Sequence, residues 1–203
     1  MSDIPTVQDT EQATGQVTSE PVIERVDLGE AVGIEHGAHR SAHWATVRRQ
    51  FLGDHPDCIY CTPEDKGKFT VEVHHIHAFH CCIGVGRPDL ELDERNLVGL
   101  CETTHGKPAK DHHVAQGHLG DYQYNNDKVL SEIDQYLGMT KEEIEATETW
   151  KTASANRGKK FSDWTHDEKV AFRAMLDETL PPDPRVLQLY FPGGLAKSAF
   201  DPS

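Results

Sequence analysis

The stretch VEVHHIHAFH, residues 71–80, places four histidines in ten positions. Imidazole titrates near neutrality and ligates metals readily, so such a run offers metal donors or a proton carrier. His74 and His75 are adjacent. Neighbouring side chains on a strand point to opposite faces, so two different jobs are expected: one holds a metal, the other takes a proton from water. A second pair, His112 and His113, lies downstream. Ahead of the histidine run, Cys58 and Cys61 form a CxxC turn. Its thiolates can both reach one tetrahedral zinc, or can act as a redox pair. Cys101, with His105, His112 or His113 as fourth donor, offers the second half of a Cys₃His site.

The elements that must position these residues are short. Trp44, Val47 and Phe51 share one face at helical spacing, which predicts a helix over about Ser41 to Gly53, ended by GDHPDC. KFTVEVHH alternates: Phe69, Val71 and Val73 fall on one face, Thr70, Glu72 and His74 on the other. GVGRPDLELDER reads as a loop and NLVGLC as a second strand. A helix is expected from about Pro108 to Gly117, carrying Ala109, His112, His113 and Gln116. Further on, TKEE and THDE fit capping boxes, and Val170, Phe172 and Met175 recur at roughly helical spacing before LPPDP breaks the chain. No chemistry is legible in these later helices; packing or partner binding is expected of them.

Composition narrows the classes. The 203 residues carry a formal net charge of −14 and are 36% hydrophobic, low for a chain folded throughout. The first 35 residues hold eight acids against one Arg and have no apolar period, which predicts a disordered acidic tail. Residues 36–125 hold twelve of the thirteen histidines and nine of the twenty Lys and Arg, so the acidity lies mainly on the flanks. No run is long and apolar enough for a membrane span, and the first residues lack the pattern of a signal peptide; a soluble cytoplasmic protein is expected. Five cysteines in such a chain point to metal ligation rather than a disulfide framework. Cys81 and Cys82 are expected to be ordinary buried thiols.

Taken in order, CIYC, VEVHHI, RNLVGLC and the later HH resemble the HNH endonucleases, the zinc-stapled ββα-metal or His-Me finger nucleases, from about Arg40 to Asp127. The resemblance implies an α+β fold with a small ββα-metal core and zinc knuckle over 37–127; composition and spacing add the disordered acidic tail over 1–36 and a helical C-terminal extension over 128–203. It implies metal-dependent hydrolysis of DNA phosphodiester bonds in a bacterial or phage-infected cell, with a structural Zn²⁺ and a catalytic Mg²⁺ or Mn²⁺. By the same resemblance His74 stands at the catalytic-metal position, His75 at the general base, and Asn96 at the central Asn that fixes the loop bearing the base. His113 stands at the final His, a ligand of the catalytic ion. His112 stands where many members carry a zinc-binding Cys, which makes it the fourth zinc ligand beside Cys58, Cys61 and Cys101, with His105 as the alternative.

The pattern departs from the family in two places. The second CxxC is absent, Thr104 standing three residues after Cys101, and ETTHGKPAKD is inserted before the histidine pair. His118 is a further candidate for the catalytic ion. Five residues past His113 it lies about 140° round a continuous helix, so it reaches only if the helix ends at Gly117. Arg48, Arg49, Lys66, Lys68 and Arg87 are candidates for the DNA backbone. Two other classes compete: a catalytically silent zinc-stapled module that binds nucleic acid or protein, and an assembly or packaging factor that docks a protein partner through the acidic tail or the C-terminal helices.

Overall fold

The alternation of KFTVEVHH and the apolar run NLVGLC pair as an antiparallel two-stranded sheet, β1 (Val71–His75) with β2 (Leu97–Cys101). The register sets Val71 opposite Cys101 and His74 opposite Val98. The ladder continues past both ends, through Ile76 N–H to the Asn96 carbonyl (2.8 Å) and Glu102 N–H to the Thr70 carbonyl (3.1 Å). The computed structural model describes residues 40–103 and 109–190; the tail expected over 1–36 and the alternative ligand His105 lie outside the described residues. Among the described residues the chain is a mixture of short helices and this one small sheet, an α+β architecture, and no helix is long and apolar enough to cross a membrane.

Three small apolar clusters hold the elements together. Helix α1 (Trp44–Asp54) buries Phe51 against Val73 and Leu97, with Trp44 and Val47 alongside, which is the face that its spacing marks. On the sheet's other side Tyr60, Val98, Leu100 and Ala115 pack with Val129, Tyr136 and Ile144, residues that follow the histidine pair. The last two come from α3 (Ile133–Tyr136) and α4 (Lys141–Ala146). Gly99 lets the CxxC segment lie directly on β2: a Cβ there would sit 3.0 Å from the Asp57 carbonyl oxygen, and Ile59 N–H donates to the Gly99 carbonyl (3.1 Å).

The long connection between the strands is more structured than its Gly, Pro and Asp content suggests. It contains α2 (Phe79–Gly84), which the histidine-rich sequence does not announce, and 3₁₀ turns at Pro88–Glu91 and Glu94–Asn96. The helix expected from Pro108 is instead a single π-helical turn, His113–Gly117. Both capping boxes form, Thr140 with Glu143 at α4 and Thr165 with Glu168 at α6 (His166–Thr179). Between these helices lies α5 (Glu148–Ala155), and α7 (Pro184–Tyr190) follows the LPPDP break. Of the residues read as one apolar face of α6, Phe172 and Met175 pack inward while Val170 is 53% exposed, because it precedes Phe172 by only two positions; Leu176 carries the buried contact.

Arg87, expected to be available to DNA, is fully buried. It donates from Nε and Nη2 to the Asp89 carboxylate (3.0 and 2.7 Å), from Nη1 to Asp177 of α6 (2.8 Å) and from Nη2 to the Leu180 carbonyl (2.8 Å). It is therefore an anchor between the inter-strand connection and α6. Truncating one side of a buried ion pair leaves the other uncompensated, a cost of about 3–5 kcal/mol. Arg87→Ala is accordingly expected to lose stability of that order in urea unfolding, and a loss below about 1 kcal/mol would show that the pair does not fasten α6.

Candidate functional site

Two groups of metal-type donors form, and they share a chain segment. In the first, Cys58, Cys61, Cys101 and His112 bring their ligand atoms within 4.8 Å of one another. His112 Nδ1 lies 3.2 Å from Cys58 Sγ, 3.3 Å from Cys101 Sγ and 3.8 Å from Cys61 Sγ, and the Cys61 and Cys101 sulfurs are 3.9 Å apart. Tetrahedral zinc, with bonds of about 2.3 Å to sulfur and 2.0–2.1 Å to nitrogen, separates its donors by roughly 3.5–3.8 Å. The donor set and its spacing therefore fit a structural metal such as zinc. The other His112 nitrogen, Nε2, donates to the Met139 carbonyl (2.6 Å), which leaves Nδ1 to face the thiols and holds the ring's orientation.

The cluster's own hydrogen bonding favours a thiolate. Bonds from Cys58 and Cys61, helped by His112, pull Cys101 far below the usual thiol range, while Cys61, donating to Cys101, is pushed up. Burial by itself lowers His112, but its bonds to Cys101 and Cys58 outweigh that and hold it at about 10. Cys81 and Cys82 are buried outside this group, and desolvation raises both thiols, Cys81 to about 12. They are poor ligands and poor nucleophiles there.

The second group is His74, His113 and His118, again with donor atoms within 4.8 Å. The ring centroids lie 4.8 to 5.3 Å apart. The 140° separation expected of His113 and His118 holds for a 3.6-residue helix. The π-helical turn closes five residues instead, which brings residue i+5 back over residue i. Two non-glycine residues with positive φ flank the turn, Asp111 (53°) and Leu119 (50°), so the backbone is bent at both ends. Trp150 Nε1 donates to the Ala115 carbonyl (2.9 Å) in the middle of the turn. Gly117 lets the turn approach β1: a Cβ there would lie 3.0 Å from the His74 ring.

His118 Nδ1 donates to the Tyr124 carbonyl (2.6 Å), leaving Nε2 as its ligand atom. His113 Nδ1 faces Glu102 Oε2 at 2.5 Å, and Tyr122 donates to Glu102 Oε1 at 2.5 Å. The His113 bond, and then the Tyr122 bond, hold the Glu102 carboxyl below its ordinary range. Neither Glu102 nor Tyr122 stands out in the sequence. The one available signal was that Glu102 directly follows Cys101.

His75 lies apart from this trio. Its ring stacks on Trp44 (centroids 4.9 Å, planes 28° apart) with Phe79 at 5.9 Å, and Nε2 donates to the Glu91 carbonyl (3.1 Å). A carbonyl can only accept, so Nε2 carries the proton and Nδ1 is the basic nitrogen. Asn96 is fully buried and clamps the loop after β1: its Oδ1 accepts from His77 N–H (2.8 Å), and its Nδ2 donates to the carbonyls of His77 (3.1 Å) and Leu90 (3.0 Å). His77 is thus held by its backbone, while its half-buried ring lies against Phe172 and burial lowers its pKa. His80 lies 6.2 Å from the Phe161 ring.

Comparison with known families, with curated proteins and with solved structures found no match to this chain.

The four-donor centre yields a direct expectation. The purified chain is expected to hold one zinc ion, and Cys101→Ser to lose it. Thiolate and imidazole must be deprotonated to ligate, so lowering the pH releases the ion and raising it favours retention. Elemental analysis across a pH series checks the sign. A melting temperature unmoved by a strong chelator would show that no stabilising metal sits there.

Proposed function

We propose that the chain is a metal-dependent endonuclease of the HNH type, hydrolysing DNA phosphodiester bonds with His75 as general base. The observation that carries this reading is the pairing of two unlike donor sets: a thiolate-rich group suited to a staple and an all-imidazole group that includes His74 of β1, with Asn96 clamping the loop that follows β1. His74, His113 and His118 would hold the catalytic ion. An ion there supplies positive charge beside the scissile phosphate and the departing 3′-oxygen. Three neutral nitrogen donors suit Mn²⁺ or a later first-row ion better than Mg²⁺, which prefers oxygen ligands.

In this reading His75 Nδ1 takes the proton of the attacking water. The Glu91 carbonyl fixes the tautomer, and Trp44 fixes the ring plane. Asn96 keeps the chain beyond β1 in one conformation through backbone bonds and touches no reacting atom. Phosphate contacts fall to Arg49, Lys66 and Lys68, all exposed, and to Arg48; Arg48 is paired with Glu72, Lys66 with Asp57 and Lys68 with Asp65. The acidic flanks would limit indiscriminate binding to nucleic acid.

One observation favours a second reading, a silent zinc-stapled binding module. His75 is only 6% exposed and lies beneath Trp44, which restricts water at the proposed base. Cleavage of supercoiled plasmid with Mn²⁺, Mg²⁺ or EDTA separates the two. The nuclease reading expects metal-dependent nicking that falls by about 10²–10⁴-fold in His75→Ala. No nicking by zinc-loaded wild type with any of the ions would move the conclusion to the binding module.

A further inference from the structure

We infer that Glu102 and Tyr122 are positioning residues of the histidine centre: Glu102 holds His113 in the tautomer that presents Nε2 to the ion, and Tyr122 locks the carboxylate in place. This rests on reading His74, His113 and His118 as a metal site. Both Glu102 oxygens are engaged by groups of that one site, Oε2 by His113 Nδ1 and Oε1 by the Tyr122 hydroxyl, each at 2.5 Å. A carboxylate can only accept, so the His113 proton resides on Nδ1 and Nε2 is the donor atom left for a metal. Carboxylate–histidine–metal arrangements of this kind fix ring orientation and raise ligand basicity.

Three further features separate this from an incidental surface ion pair. Glu102 is fastened at its backbone by the bond to the Thr70 carbonyl, so its side chain starts from a fixed point. Glu102 and His113 each follow a donor of the four-ligand centre in the chain, Cys101 and His112, so closing that centre sets the distance between them. Tyr122 also covers the trio: its ring lies 4.8 Å from His118 and 5.9 Å from His113 while its hydroxyl reaches past them to the carboxylate. Its 41% exposure places it at the rim, as the outermost member of the group.

The test uses the full-length, zinc-loaded protein and Mn²⁺ as probe, because Mn²⁺ competes poorly for thiolate sites. Electron paramagnetic resonance of the free ion gives the affinity of the histidine centre without any DNA. Glu102→Ala is expected to weaken Mn²⁺ binding by about 10–100-fold, the range for loss of an outer-shell partner, with zinc content unchanged. The isosteric Glu102→Gln, which keeps an acceptor but loses the charge, is expected to weaken it less, and Tyr122→Phe also less than Glu102→Ala. Imidazole nitrogen resonances should report His113 as Nδ1-protonated in the wild type and lose that signature in Glu102→Ala. Mn²⁺ affinity of Glu102→Ala or Glu102→Gln equal to wild type, with zinc intact, overturns the inference and leaves the metal site standing. Wild type that binds no Mn²⁺ overturns both.

Discussion

Closure of Cys58, Cys61, Cys101 and His112 on one another is the constraint from which the rest of the site follows. These four donors come from three separate stretches: the turn after α1, the last residue of β2, and the residue before the π-helical turn. A sheet of two five-residue strands cannot fix such stretches by itself, since isolated two-stranded ribbons are marginal in water. A metal ion held by the four donors would supply a cross-link whose binding energy appears only in the folded chain. Its geometric effect is local. With Cys101 and His112 held on one point, Glu102 and His113 are delivered side by side, and the second group of donors is built from what the first one sets.

The π-helical turn converts that placement into a three-histidine centre. An α-helical continuation would carry His118 away from His113. One turn closed by five residues returns it to the same side, at the cost of a bent backbone at Asp111 and Leu119. The bend is held from outside. Trp150 takes up the Ala115 carbonyl, Arg157 donates to the Leu119 carbonyl, and Met139 orients the His112 ring. Val129, Tyr136 and Ile144 meanwhile share a core with Tyr60 and Leu100. Residues 139–157, one on α5 and two in the connections beside α3, α4 and α5, thus supply the hydrogen bonds that keep the ligand-bearing turn in an uncommon conformation.

Legibility from sequence divides along physical lines. The strands were legible because alternation in VEVHH and the run NLVGLC are period-two signals, and α1 because Trp44, Val47 and Phe51 recur on one face. Capping boxes at Thr140 and Thr165 were legible because the hydrogen-bonding pair lies within four residues. The CxxC turn, Cys101 and a downstream histidine were legible as donors because the residue types themselves name the chemistry. What was not legible depends on distance in the chain. Helix α2 is stabilised by Cys82 and Val85 packing on Leu176, some ninety residues away, and its histidines and cysteines carry no helical signature. Arg87 looks like any surface arginine until Asp89, Asp177 and the Leu180 carbonyl close around it. The π turn has no sequence code, since its register is set by where β2 and α5 hold it.

His75 and His74 show how one strand can serve two environments. Their side chains leave opposite faces of β1, so a single step in sequence carries one imidazole into a cage of polar donors and the other under an indole. The first environment suits a ligand, because neighbouring rings and the Gly117 backbone leave little freedom to the His74 ring. On the proposed reading the second holds the base, because aromatic packing fixes the ring while the Glu91 carbonyl selects the tautomer. A base of this kind works only if water reaches Nδ1. Trp44, itself half-buried on α1 and covered by the Arg40 guanidinium at 4.3 Å, is then the group whose position decides access. If His75 is the base, the packing of α1 on Val73 and Leu97 would bear on reactivity as well as on stability, because it sets how tightly that indole closes over His75.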